Sequence, residues 1–279
     1  MSYLMVIPSI ISMLLKSNEM LGEEKTWVWV NDWQKVFLEN FFSKKAELAE
    51  FSQKELKTWA SSNIEELNEI AKDQGLDIAL NDLSPEGFGA ISVMDILFQW
   101  TNGKAETILT YSGQEYPALK IYSRFCIKTS SAYPYPVIAL RSKTVGDTIY
   151  MTIAPEKQVS FYLIDKIEKI RQNLYRTTSC DYLKFPMIDM NHIESLDWLL
   201  GLWTPDKGSS RWEIAQAWQQ TKIKISAGTE DIITSGMFAL RIGEEKGITI
   251  RDPFFLWIER QGVSFPLVYA YIDQSDWKS

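Results

Sequence analysis

Two strand-like segments, "TKIKIS" (221–226) and "PFFLWI" (253–258), are separated by "GTEDIITSGMFALRIGEEKGITIRD" (228–252), which has neither a helical nor an alternating period. A compact domain seldom carries so long a structureless connection unless that connection is functional or disordered. Any fold for this chain must therefore hold two apolar strands firmly while tolerating a long excursion between them.

The rest of the chain reads as alternating blocks of strand and helix. A short strand over Leu4–Ile7 turns into a helix from Ser9, and "TWVWVND" (26–32) is β-rich. A helix over 33–51 places Trp33, Phe37, Phe41 and Leu48 on one side. Ser52 and Glu55 have the spacing of a capping box. Leu56, Trp59, Ala60, Ile64, Leu67 and Ile70 then form the apolar face of the helix it would start. "FGAISVMDILFQW" (88–100) is almost continuously apolar, as a central strand buried on both faces should be. The middle, 104–154, is β-rich, with a turn at Val145-Gly146-Asp147. A helix carries Phe161, Ile164, Ile167, Ile170 and Leu174, a strand follows at "YLKFPMI", and "IESLDWLLGL" reads as a short helix ending near Gly201. "QTKIKIS" alternates as a half-exposed strand, and "PFFLWIE" and "FPLVYAYI" are buried strands joined through Arg260-Gln261-Gly262. No repeat, low-complexity tract or linker interrupts the 279 residues, which predicts one α+β domain over 1–279 with more than one sheet.

Composition excludes several functions. The formal net charge is −7 and no basic run is longer than Lys44-Lys45, so the basic face of a nucleic-acid binder is missing. Cys126 and Cys180 are too few for a disulfide framework and read as free, buried thiols. The start, "MSYLMVIPSIISMLLKS", lacks the basic leader and small-residue cleavage site of a secretion signal. No segment is apolar for the ~18 residues a spanning helix needs. The expectation is a chain outside the membrane, cytoplasmic, with secretion as the alternative.

Catalytic chemistry has little to work with. Serine and cysteine nucleophiles need a base, and His192 is the one histidine, read here as a helix-entry residue. One histidine and two distant cysteines make a poor metal site. Glu65, Glu66 and Glu69 read as a solvated helix face, and neither "FGAIS" nor "GEEKG" has the strand-to-helix glycine pattern of a phosphate loop. No catalytic residue, metal or cofactor is expected.

The C-terminal third resembles a serpin. "TKIKISAGTE" is similar to the strand that enters the reactive-centre loop, with Gly228, Thr229 and Glu230 matching the hinge pattern Gly-Thr-Glu. "DPFFLWIE" resembles the signature that follows the loop, through Asp252, Pro253, Phe254 and Ile258. Pro253 lies 25 positions after Gly228, as in serpin loops, and "FPLVYAYIDQ" sits where serpins end. Upstream, "EFSQKELKTWASSNIEEL", "VMDILFQW", "PVIALRSKTVGDTIYMTIAPE" and "LKFPMIDMNHIESLDWLLGL" follow the serpin order, so the likeness runs from about residue 6 to residue 277. The short path from "PSIISMLLKSNEMLG" to "TWVWV" lacks at least two helices of a full serpin, a trimming that resembles poxvirus-type viral serpins.

The resemblance implies a serpin-like single domain: a large central mixed sheet, smaller sheets, surface helices and an exposed reactive-centre-like loop over 228–252. It implies a protein partner for a monomeric chain, a host serine or cysteine protease among the candidates, and no enzyme activity. Inhibitory members trap a protease when the cleaved loop inserts into the main sheet. The hinge here is Gly228, Thr229, Glu230 and Asp231, and the scissile bond falls among Leu240, Arg241, Ile242 and Gly243: Ile242-Gly243 by count, Arg241-Ile242 one residue earlier. The sequence departs from the inhibitory pattern. With Thr229 inward, alternation also turns Asp231 and Ile233 inward, and burying an unpaired carboxylate is costly. Met94, Trp218 and Ser226 stand where the family has Asn, His and Glu. Two readings follow: a serpin-fold protein that binds a partner without trapping it, viral and host-modulating, or a working protease inhibitor.

Overall fold

A computed structural model describes residues 1–22, 24–48, 56–76, 78, 80, 81, 83–100, 103–141, 146–206, 210–227 and 247–278. In chain order the elements are β1 Tyr3–Val6, α1 Ile7–Met20, α2 Asp32–Asn40, β2 Leu56–Ser61, α3 Ile64–Asp73, β3 Gly87–Trp100, β4 Gly103–Leu109, β5 Glu115–Ser130, β6 Tyr133–Arg141, β7 Asp147–Ile153, α4 Ser160–Gln172, β8 Leu174–Pro186, β9 Ile188–Ser195, β10 Trp203–Pro205, β11 Arg211–Ala227, β12 Gly247–Thr249, β13 Phe254–Arg260 and β14 Val268–Ile272. Short 3-10 segments cover Phe42–Leu48, Asp197–Leu199 and Gln274–Asp276. The class is α+β, as the alternating blocks predict. No helix among the described residues is long and apolar enough to cross a membrane.

The chain folds as two compact units, each discontinuous in sequence. One comprises Met1–Met5, Leu97–Met190 and Ile223–Ser279; the other comprises Val6–Ile96 and Asn191–Lys222. Among the described residues, the strands form two sheets. In the nine-stranded sheet the order is β1-β14-β13-β7-β6-β5-β8-β12, with β4 also on β5. It is mixed, since β12 runs parallel to β8 while β13 is antiparallel to β7 and β14. In the five-stranded sheet the order is β10-β11-β3-β2, with β9 also on β11.

The first unit is built on "PFFLWIE". Every residue of β13 from Phe254 to Ile258 is buried, and so is all of β14, which is why these segments read as apolar runs rather than alternating ones. Burying three or four such side chains against each other is worth on the order of 1.5–3 kcal/mol apiece before entropy is counted. Trp257 stacks on Tyr150 of β7, with ring centroids 5.1 Å apart and planes within 6°. Helix α4 brings Glu168 to the Tyr269 hydroxyl, which donates at 2.6 Å, and Arg171 bridges Glu168 and Glu259 at 2.9 and 2.8 Å. Both thiols are free; Cys180 is buried as expected, whereas Cys126 is only half-buried.

Helix ends in the second unit follow side-chain chemistry. Asn63 caps α3 by accepting from the Glu65 and Glu66 amides. Asn31 caps α2 through Gln34. The Gln34 side chain is fully buried and fully used: it accepts from the Val30 amide at 2.8 Å and donates to the Trp198 and Leu200 carbonyls at 3.0 Å.

Several local expectations are corrected here. Residues 56–70 are not one helix: Leu56–Ser61 is strand β2, and α3 starts only at Ile64. The apolar spacing of Leu56, Trp59 and Ala60 fits either period over so short a stretch, and pairing with β3 decides it. The expected cap at Ser52 and Glu55 lies outside the described residues. The helix placed at 33–51 stops at Asn40 and continues as a 3-10 segment. "TWVWVND" makes a single bridge, Val28 to Trp203. The first helix begins at Ile7, since Pro8 is well suited to its first turn. "IESLDWLLGL" is strand β9 followed by a 3-10 turn, so His192 sits in a strand rather than at a helix entry. Leu174 opens strand β8 rather than closing α4.

Candidate binding site

The predicted hinge, Gly228, Thr229, Glu230 and Asp231, and the predicted scissile region, Leu240, Arg241, Ile242 and Gly243, lie outside the described residues. Their two anchor points do not. The chain leaves β11 at Ala227 and resumes in β12 at Gly247, so Gly247–Thr249, expected within the loop, is a strand.

The first anchor is the end of β11. Ile223 and Ile225 are fully buried and Lys224 is exposed, 3.5 Å from the Asp189 carboxylate. This is the alternation that "TKIKIS" predicts. The second anchor is β12, paired in parallel with β8 through Gly247 opposite Tyr182, Ile248 opposite Leu183 and Thr249 opposite Lys184. The Ile250 amide donates to the Lys184 carbonyl at 2.9 Å, and Ile250 is fully buried. Next to it, burial pushes the Asp252 carboxyl above its ordinary range, with Arg251 pulling the other way.

Within the second unit, β11 lies directly beside β3. The Glu213 amide donates to the Glu86 carbonyl at 3.0 Å at the start of this seam. Helix α3 covers it. Leu67 and Ala71 of the helix join Ile91 and Val93 of β3 in one apolar cluster, with Trp59 of β2 and Trp218 of β11 packed against it. Gly89 makes this closeness possible: a Cβ there would lie 2.7 Å from Leu67 Cδ1. Gln216 of β11 fastens the connection between α3 and β3, since its side chain bonds both backbone groups of Asn81.

Met94 and Trp218, two of the three positions that depart from the serpin pattern, are thus packing groups. Met94 is buried opposite Leu56 in the β2–β3 ladder, and Trp218 is half-buried on the helix-covered cluster. Sequence reasoning missed Gln216, Ser92 and Gln219. Ser92 is fully buried, and neither its hydroxyl nor Gln219 Oε1 has a hydrogen-bond partner among the described residues. A buried polar atom left so costs about 1–3 kcal/mol. A signal was present for Ser92, a lone hydroxyl within an apolar strand.

The catalytic alternatives gain nothing from geometry. His192 Nε2 faces Glu194 at 3.2 Å. Glu65, Glu66 and Glu69 are exposed, with Glu66 accepting from Ser61 at 2.5 Å. No group of three or more His, Cys, Asp or Glu among the described residues is placed to hold a metal.

No protein-family model matches the sequence, and no curated protein matches it either. Solved structures do. Native protease nexin-1 with heparin superposes with a TM-score of 0.58 at 15% identity, over 98% of this chain and 93% of that one. Mouse protein-Z dependent protease inhibitor gives 0.59 at 12%, over 97% and 90%. Thyroxine-binding globulin in complex with thyroxine gives 0.57 at 12%, over 97% and 92%. All three are serpins, and the chain has the serpin fold.

Proposed function

We propose that this serpin-fold chain binds a protein partner through the 228–252 connection and does not trap proteases by full loop insertion. The observation that carries this reading is the latched seam. An inserting strand must part β3 from β11, and here that requires pulling Trp218 from the cluster under α3 and breaking the Gln216–Asn81 bonds. Asp231 and Ile233 add to the barrier as inward-facing residues of the entering strand. The structural neighbours include a protein-Z dependent protease inhibitor and a thyroxine-binding globulin, so the fold is compatible with either kind of activity. The resemblance of the sequence to poxvirus-type serpins extends the proposal to a host-modulating role.

A second reading is protease inhibition with the scissile bond among Arg241, Ile242 and Gly243. It is favoured by one observation. Ser92 Oγ and Gln219 Oε1 have no hydrogen-bond partner among the described residues, and unpaired buried groups store free energy that a rearrangement can release.

Cleavage of the intact protein between residues 236 and 245 with a broad-specificity protease, followed by thermal unfolding, decides between them. An unchanged Tm is expected. A cleaved form that melts far above the intact one, or an SDS-stable complex with a trypsin-like protease, overturns the non-trapping reading and makes inhibition the function.

A further inference from the structure

The C-terminal anchor of the 228–252 connection is a very short edge strand. Among the described residues β12 has three, ends the order of the nine-stranded sheet and pairs with β8 alone. Its first described residue is a glycine, which brings no side chain to the sheet and weakens a strand. A strand this short at an edge needs some other source of hold.

The source lies across the ladder. Gly247 is in register with Tyr182, and a Cβ built on Gly247 would overlap the Tyr182 ring atoms Cζ, Cε1 and Cε2. The tyrosine ring therefore occupies the space above the glycine, covering its backbone in the manner by which aromatic side chains compensate glycines in neighbouring strands. The ring is itself braced. Tyr182 is in register with Tyr122 of β5, their centroids 6.2 Å apart. Lys120 Nζ lies 4.3 Å from the Tyr182 centroid and 4.7 Å from that of Tyr122. In the next row, Lys120 faces Lys184 of β8 and Lys104 of β4. Glu106 holds the lysines, accepting from Lys184 at 2.8 Å and lying 4.0 Å from Lys120.

We propose that Tyr182 is a positioning residue that fixes the C-terminal end of the 228–252 connection by carrying the backbone of Gly247 on its ring, with Lys120, Tyr122 and Glu106 as its brace. Its meaning for function rests on the partner-binding reading above; the hold on β12 does not. Gly247 and Tyr182 are then a matched pair: one must lack a side chain because the other fills its place. The flat ring is what matters, and the phenol hydroxyl is dispensable.

Amide hydrogen exchange on the full chain tests this. In Tyr182→Leu, which keeps apolar bulk but removes the flat face, amides of residues 248–250 are expected to exchange at least about tenfold faster, while amides of β13 keep their wild-type rates. Tyr182→Phe is expected to behave as wild type. Gly247→Ala is expected to loosen residues 248–250 as Tyr182→Leu does, because the new methyl must displace the ring. Wild-type exchange at 248–250 in both Tyr182→Leu and Gly247→Ala overturns the proposal, and so does equal loosening in Tyr182→Phe. Uniform acceleration that includes β13 also overturns it, since the ring would then serve the whole unit rather than this strand. Loosening of residues 248–250 in Tyr182→Leu that leaves partner binding unchanged would instead speak against the functional reading alone.

Discussion

The Gln216 side chain closes a two-way hydrogen bond with the backbone of Asn81: Nε2 donates to the Asn81 carbonyl at 2.7 Å, and Oε1 accepts the Asn81 N–H at 3.2 Å. An amide side chain that mimics a backbone partner in this way ties a connection to a strand with no ladder of its own. Here it ties the segment leading from α3 to β3 onto β11, across the seam that an inserting strand would have to open. Each such bond is worth about 0.5–1.5 kcal/mol net. Gln216→Ala is expected to lower the free energy of unfolding by roughly 1–2 kcal/mol in urea titration, by that same scale. Gln216→Glu keeps the acceptor for the Asn81 N–H but turns a carboxylate oxygen toward the Asn81 carbonyl, so it should cost at least as much.

Trp218 is the larger part of the latch. Replacing a buried Trp by Ala typically costs about 3–5 kcal/mol. Trp218 is only half-buried on the α3 cluster, so Trp218→Ala is expected to cost about 2–3 kcal/mol on that scale. If the seam is what blocks insertion, loop cleavage in this variant should raise its Tm although cleavage of the wild type does not. Differential scanning calorimetry before and after cleavage reads both effects.

Alkaline pH should destabilise the first unit through Tyr150. Burial, with the Glu259 charge adding to it, pushes the phenol from its ordinary value near 10 up to about 12. A group whose folded pKa is raised contributes stability that is whole below the unfolded pKa and is lost as pH rises through the folded one. The free energy of unfolding should therefore decline between about pH 10 and 12, by on the order of 2–3 kcal/mol for this group. Tyr150→Phe, which keeps the ring on Trp257, should flatten that limb in denaturant titrations run from pH 8 to 12. Tyr269, whose hydroxyl donates to Glu168, is pushed well above its ordinary value by burial and that carboxylate, and it should titrate only as the unit opens.

The two thiols should never cross-link within the folded chain. Cys126 is in register with Ser179 across the β5–β8 ladder, and Cys180 is one position further on. Cross-strand partners share a face and successive residues alternate, so Cys126 and Cys180 point to opposite faces. Burial also raises the Cys180 thiol, which suppresses the reactive thiolate. A thiol reagent is expected to label Cys126 first in the native protein and both cysteines after denaturation, with no disulfide formed under mild oxidants. Equal native labelling rates would show that β8 opens on the labelling timescale.

Much of the fold is legible in the order of residues, for a local reason. "PFFLWIE" and "FPLVYAYI" are almost wholly apolar because strands buried on both faces have little polar side to show, "FGAISVMDILFQW" is nearly so up to the exposed Asp95, and each becomes a strand as it predicts. "TKIKIS" alternates because one of its faces is buried, and Ile223 and Ile225 are on that face. Such features depend on a few neighbouring residues, so one sequence suffices to read them.

Tertiary pairing decided the rest. Leu56, Trp59 and Ala60 satisfy a helical spacing and a strand pattern equally, and only the presence of β3 beside them makes β2. Asp189 and Asn191 ahead of His192 suit a helix entry, and only pairing with β11 places all three in strand β9. Nothing near residue 247 announces that its glycine must lie under a tyrosine 65 positions earlier, and nothing near residue 216 announces Asn81. These contacts join residues separated by scores of positions, and their energies exist only once the sheets have closed. The sequence determined the long buried strands and which residues depart from a serpin hinge; the folded sheets decided the short strands and what holds the seam and the ends of the long connection in place.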